Sequence, residues 1–329
     1  MDLALSKTKF EIKEILLIIS ITFLITFSLF YWDSMYTIYS YFGLIPVFWI
    51  IKKIPLDQLR KFFLKIILLN LFIAFYEYMS QTYLYEAIAE RNGEEFKLTY
   101  NELSGNVIRA KGIFPGPLTL ANFALGATLI FPKDKYIPIL SIFICLLANA
   151  RLGLLCALII YLSNSAKFSF KLLTTIFICF GLYYYVLDDS GVNRIFDVFN
   201  PNSGNNSARL YYMQSSITLY LDYPPQNLLF GNSGALLKKV GNNAESGWLT
   251  LLTENGLFGL AIYLIYFFNS LKTKIVNKTS WLNLAILFLV MSIQTFYLSL
   301  LGPLWFWLPV LIHTKKNKKI VNTSTSNVY

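Results

Sequence analysis

Five of the six arginines in this chain, Arg91, Arg109, Arg151, Arg194 and Arg209, stand apart from its lysine clusters. A guanidinium offers a planar fork of donors that grips a phosphate or carboxylate through two parallel hydrogen bonds, whereas an ammonium acts as a point charge. Arg109, Arg151, Arg194 and Arg209 are therefore candidate binders of an anionic, phosphorylated group. The plain alternative is ordinary surface pairing with nearby acids. Arg151 is the most unusual, because it interrupts the apolar stretch from Ile137 to Leu162 in the sequence LLANARLGLLCALII. A charge at the centre of a membrane helix costs at least about 2.5–3.5 kcal/mol on insertion scales. A tight turn between two short helices would remove that cost and place Arg151 at the mouth of a membrane cavity. Arg109 precedes a helix start at Pro117, where free backbone N–H groups could share an anion with it. Arg209 opens an amphipathic segment, ARLYYMQSSITLYLDYP.

Glu245 stands before SGWLTLLTENG, at the start of an apolar helix. The helix dipole favours a carboxylate there, and the same carboxylate could serve as a general base or hydrogen-bonding anchor for an acceptor hydroxyl. Glu254 sits beside Asn255 and Gly256 and reads as a local pairing or a bend; Glu77 reads as interfacial. Cys145, Cys156 and Cys179 fall inside apolar runs without metal-type spacing, which reads as buried spectator thiols. With His313 as its one histidine, the chain has no histidine metal site, and no glycine-rich phosphate loop or Ser-His-Asp arrangement is present.

The elements that must position these residues are apolar. Of 329 residues, 56% are hydrophobic and 14% charged, against about a quarter charged in soluble proteins. Apolar runs begin at Ile15–Trp32 and continue at 36–51, 62–80, 118–131, 136–150, 152–162, 171–187, 248–268, 281–298 and 301–312. Several match the span of a bilayer core, and 136–150 and 152–162 are two short runs meeting at Arg151. The expectation is an all-α polytopic membrane protein of about ten spans. It forms a single integral membrane domain over 1–329, with loops at 81–116 and 188–247, the larger lying between spans seven and eight. A charged leader precedes the first run, Ile15–Trp32, and no small-residue cleavage site follows it, so that run reads as an uncleaved anchor.

Charge orients that path. The side bearing both termini carries 19 of the 28 lysines and arginines but 5 of the 18 acids. The positive-inside rule then puts both termini in the cytoplasm and both long loops outside. The net charge of +10 follows topology and does not call for nucleic acid.

Four segments in order resemble the bacterial O-antigen polymerase and O-antigen ligase superfamily: IRAKGIFPGPLTLANF, NARLGLLCALII, NSARLYYMQSSITLYLDYPPQNLLFGNSG and ESGWLTLLTENGLFG. Together they span about Arg109 to Phe268. Ligases of that superfamily carry a histidine–asparagine pair where this chain has Glu245-Ser246, so the likeness is to the repeat-unit polymerases. What the resemblance implies is a GT-C-like membrane glycosyltransferase in the bacterial inner membrane. It would polymerise undecaprenyl-pyrophosphate-linked repeat units of O-antigen or capsule by inverting, metal-independent transfer, without a cofactor. Arg109, Arg151, Arg209 and Arg194 would hold pyrophosphate, and Glu245, Arg151 and Arg209 would be the catalytic set. The bilayer, a chain-length regulator and a flippase would be its other partners. The competing expectations are a lipid-linked oligosaccharide transporter and an O-antigen ligase.

Overall fold

The computed structural model describes residues 12–32, 41, 47, 53–85, 88–91, 94–97, 108–164, 204–242, 244–276, 281–293 and 306–312. The runs 171–187 and, save residues 41 and 47, 36–51 lie outside them, as does Arg194. The described chain is helical apart from one antiparallel hairpin, β1 (Ile88–Arg91) with β2 (Glu94–Lys97). Its helices are α1 (Ile12–Trp32), α2 (Leu56–Ser80), α3 (Pro117–Ile130), α4 (Ile137–Leu147), α5 (Arg151–Asn164), α6 (Gly204–Leu221), α7 (Pro225–Phe230), α8 (Ala235–Val240), α9 (Gly247–Val276) and α10 (Leu282–Ile293). Residues 306–312 are also helical.

Three stretches, Ile15–Trp32, Leu56–Ser80 and Gly247–Lys272, are long and apolar enough to cross a membrane, and four shorter apolar helices accompany them. The outward faces of α1 and α2 remain apolar: Phe30 is 87% exposed and Phe72 76%. A continuous surface of that kind suits hydrocarbon. The inward stripe of α2 recurs every three or four residues as Leu59, Phe63, Ile67, Asn70, Ala74 and Glu77. Helix α3 forms the centre, buried at every position from Leu120 to Ile130. Its Phe123 stacks on Phe63 with ring centres 5.9 Å apart.

Contacts at the helix ends give α2 to α5 an up-and-down order. At one end Arg60 of α2 pairs with Asp134, between α3 and α4. Partial burial pushes the Asp134 carboxyl up, but the Ile137 N–H, the Arg60 guanidinium and the Tyr136 N–H together hold it below the usual carboxylate range. At the other end the Ile108 N–H donates to Gln81 Oε1 at 2.9 Å, and the Ala110 N–H to the Leu147 carbonyl at 3.1 Å. The end of α2, the approach to α3 and the α4–α5 turn therefore lie together.

Helix α9 is two arms. Gly256 has φ +64° and ψ −169°, outside the helical region, and divides 247–255 from 257–276. A straight helix would separate Trp248 from Phe267 by about 28 Å at about 1.5 Å per residue. Their ring centres are 6.3 Å apart, and both rings also pack on Phe288 and Phe306. The second arm therefore turns back towards the first, so the run 248–268, read from the sequence as one span, bends sharply. Only glycine suits the apex: a Cβ on Gly256 would lie 2.3 Å from the Leu229 carbonyl oxygen, and one on Gly231 would lie 2.4 Å from the Asn255 nitrogen.

Candidate functional site

The structure places four of the five predicted site residues, in two groups; Arg194 lies outside the described residues. The first surrounds the α4–α5 turn. Helix α4 ends as Asn149 takes φ +45°, with the Ala150 N–H bonded to the Cys145 carbonyl and the Asn149 N–H to that of Leu146. That is a Schellman ending, with asparagine in the left-handed position. Arg151 follows as the first residue of α5, at a helix start rather than a helix centre. Arg109 Nε donates to the Ala148 carbonyl at 3.2 Å and its Nη2 to that of Asn149 at 3.4 Å. Two of its donors thus satisfy the carbonyls at the end of α4, where the helix dipole favours a cation.

Residues 109–114 are held from α2. The backbone N–H groups of Lys111 and Gly112 both donate to Glu77 Oε2 at 2.9 Å, and the Ile113 N–H donates to Asn70 Oδ1 at 3.1 Å. Glu77 and Asn70 are seven residues apart and so share one face of the helix. Glu77 and Lys111 are completely buried, and Lys111 Nζ stands 3.7 Å from the Tyr85 ring centre and 5.0 Å from that of Tyr83. Tyr83 donates its hydroxyl to the Arg109 carbonyl at 3.3 Å and Tyr85 to that of Phe114 at 2.6 Å. Burial, and then the Glu77 carboxylate, hold the Tyr85 phenol above its ordinary pKa.

The second group lies where α6 meets the start of α9. Arg209 Nε is 3.9 Å from Glu245 Oε2, and Asn242 Nδ2 donates to Glu245 Oε1 at 3.4 Å. Both charged side chains are partly exposed, at 43% and 32%. Glu245 has φ +55°, a left-handed conformation that a non-glycine residue adopts only at some cost. The next residue, Ser246, caps α9: its hydroxyl accepts the Leu249 N–H at 3.5 Å. Glu245 therefore stands immediately outside the N-terminus of the bent helix, with a guanidinium opposite it.

A third acid supports this arrangement. Glu254, 3% exposed, accepts the Gly234 N–H and the Ser233 hydroxyl. The Asn232 N–H also donates to the Thr253 carbonyl at 2.9 Å. The 231–234 turn is thus fastened to the α9 apex beside the Gly231–Gly256 contact. Cys145 and Cys156 are buried free thiols, and among the described residues no three His, Cys, Asp or Glu side chains converge as a metal site.

The sequence reading did not single out Lys111, and it took Glu77 as interfacial. The signal present was the polar pair Asn70 and Glu77, spaced by two helical turns within an apolar helix. No family model matches this chain, and no curated protein matches it.

Proposed function

We propose that this chain is a bacterial membrane glycosyltransferase that polymerises undecaprenyl-pyrophosphate-linked oligosaccharide repeat units. In this reading the helices are part of a bundle of about ten spans with both termini in the cytoplasm. The Arg209–Glu245 pair and the Arg109–Arg151 turn then face the cell exterior. The observation that supports it best is the Arg209–Glu245 pair, a base and a phosphate-gripping fork within one ion pair at the mouth of a bent membrane helix.

Each group has a defined task. A hydroxyl at the non-reducing end of one lipid-linked repeat unit attacks the anomeric carbon of the growing chain from the face opposite the leaving group. The new C–O bond forms as the bond to pyrophosphate breaks, inverting the centre. Glu245 accepts the hydroxyl proton or orients the hydroxyl for attack. When substrates part the pair, Arg209 binds the pyrophosphate oxygens on the face of the sugar away from Glu245, where negative charge grows as undecaprenyl pyrophosphate departs. Arg151 and Arg109 add positive charge from the α4–α5 turn, and Arg194 from the outer loop. Asn242 holds the second Glu245 oxygen, leaving Oε2, once parted from Arg209, to face the acceptor hydroxyl.

Deletion of the gene, with complementation by wild type, Arg151→Ala, Arg209→Ala or Glu245→Gln, tests this on a gel of surface glycan. The null strain should show single repeat units displayed outside, and the variants should fail to restore the ladder at normal protein level. Repeat units accumulating inside the cell would identify a transporter instead. Full-length polymer left unattached to its acceptor lipid would identify a ligase.

A further inference from the structure

Helix α6 has two opposed faces with different surroundings. Arg209, Ser216 and Tyr220 fall within about 40° of one another at 100° per residue. Ser216 and Tyr220 are buried on this face, α6 packs on α9, and Arg209 meets Glu245. The far face carries Tyr211, Gln214, Ser215 and Thr218, spaced i, i+3, i+4, i+7. With Lys239 and Val240 of α8 they line a groove of about 340 Å³. That volume lies at the lower end of ligand clefts, about 300–1,000 Å³. The lining is a phenol ring, a carboxamide, two hydroxyls and one ammonium.

From Tyr211 to Thr218 the lining extends about 10 Å along the helix. Repeated hydroxyl and amide partners beside an aromatic ring suit the alternating polar edges and apolar faces of sugar rings. A pyrophosphate would call for several cations, and this groove supplies one. We propose that the α6–α8 groove is a second carbohydrate site, separated by α6 from the Arg209–Glu245 pair. It takes a sugar that bears a single acidic group, a uronate carboxylate being the simplest. Lys239 pairs with that acid, Tyr211 packs on a ring face, and Gln214, Ser215 and Thr218 bond ring hydroxyls. The role assigned to the site rests on the polymerase reading. A growing glycan held here as well as at its reacting end is bound twice, and its release is slowed by the effective concentration of the second contact.

The test is binding to the purified full-length chain in detergent, which needs no catalysis. The probes are oligosaccharides of glucuronate and of galacturonate, each beside its carboxyl-reduced neutral counterpart, with glycerol phosphate as a headgroup mimic. At least one uronate oligomer should bind about tenfold more tightly than its neutral form, the worth of one charge-assisted contact. Lys239→Gln should erase that difference, and Tyr211→Ala should weaken both forms. In cells Lys239→Gln should shorten the polymer while still making it. Failure of both uronates to bind, equal binding by the Lys239→Gln variant, or displacement by glycerol phosphate would overturn the carbohydrate site. A full ladder in the gene deletion would remove the polymerase reading and leave a positive binding result standing.

Discussion

Arg209 and Glu245 face each other at 3.9 Å with both side chains partly in solvent. An exposed pair of this kind contributes about 0–1 kcal/mol to stability, so the fold does not depend on it. Arg209→Ala should therefore leave expression and thermal midpoint nearly unchanged while cutting polymer formation by at least tenfold. Arg209→Lys should recover only part, because an ammonium lacks the bidentate fork. Asp134 differs. Its folded pKa is depressed, so its contribution is present above the unfolded value of about 3.9 and is lost as pH falls through the lower folded value. Asp134→Asn should flatten the acid limb of a thermal-stability profile below about pH 4 and leave activity near neutrality intact. The residue types were legible in the sequence. Their partners were not, since Arg209 and Glu245 lie thirty-six residues apart and nothing local couples them.

Two elements set the site's geometry, and each rests on a contact that a single substitution would test. At the α9 apex, Gly256→Ala would force a side chain against the Leu229 carbonyl at positive φ. It should cost more than about 1–3 kcal/mol, the usual range for strain of that kind, and be read as a lowered thermal midpoint or loss of protein. On α2, Glu77→Ala would leave the buried N–H groups of Lys111 and Gly112 without their acceptor. At about 1–3 kcal/mol for each lost partner, it should destabilise strongly, and Glu77→Gln should do so less because its carbonyl oxygen can still accept. The Asn255-Gly256 pair hinted at a bend, and the interrupted run at Arg151 at a turn. The direction of the second α9 arm was not legible: an apolar run records what surrounds a helix, while the packing of Trp248 on Phe267 is a tertiary event.

For the whole molecule, the shared burial of α2 to α5 and the end contacts of Arg60 and Arg109 arrange the charges at opposite poles. The apolar composition made a helical chain with stretches apolar enough to cross a membrane legible at once, because few charges can be placed in hydrocarbon. The order of α2 to α5 was legible from lysines recurring after every second run, at Lys52, Lys53, Lys61 and Lys65, at Lys133 and Lys135, and at Lys167 and Lys171. Sidedness is open to test by single cysteines, in a background lacking Cys145, Cys156 and Cys179, labelled in intact cells. Lys239→Cys should react with an impermeant thiol reagent, and Lys133→Cys should react only after the membrane is opened. Reaction of Lys133→Cys in sealed cells would invert the topology and with it the proposed site of chemistry.

The most direct measurement is polymerisation by the purified chain in liposomes supplied with undecaprenyl-pyrophosphate-linked repeat units from its host. Polymer length and released undecaprenyl pyrophosphate would be followed together. Wild type should extend the glycan and release one undecaprenyl pyrophosphate per unit added. Glu245→Gln should slow both by about 10²–10⁴-fold, the span of general acid–base catalysis, while remaining folded. Repeat units that cross the bilayer without being joined, or a Glu245→Gln variant as fast as wild type, would contradict the account.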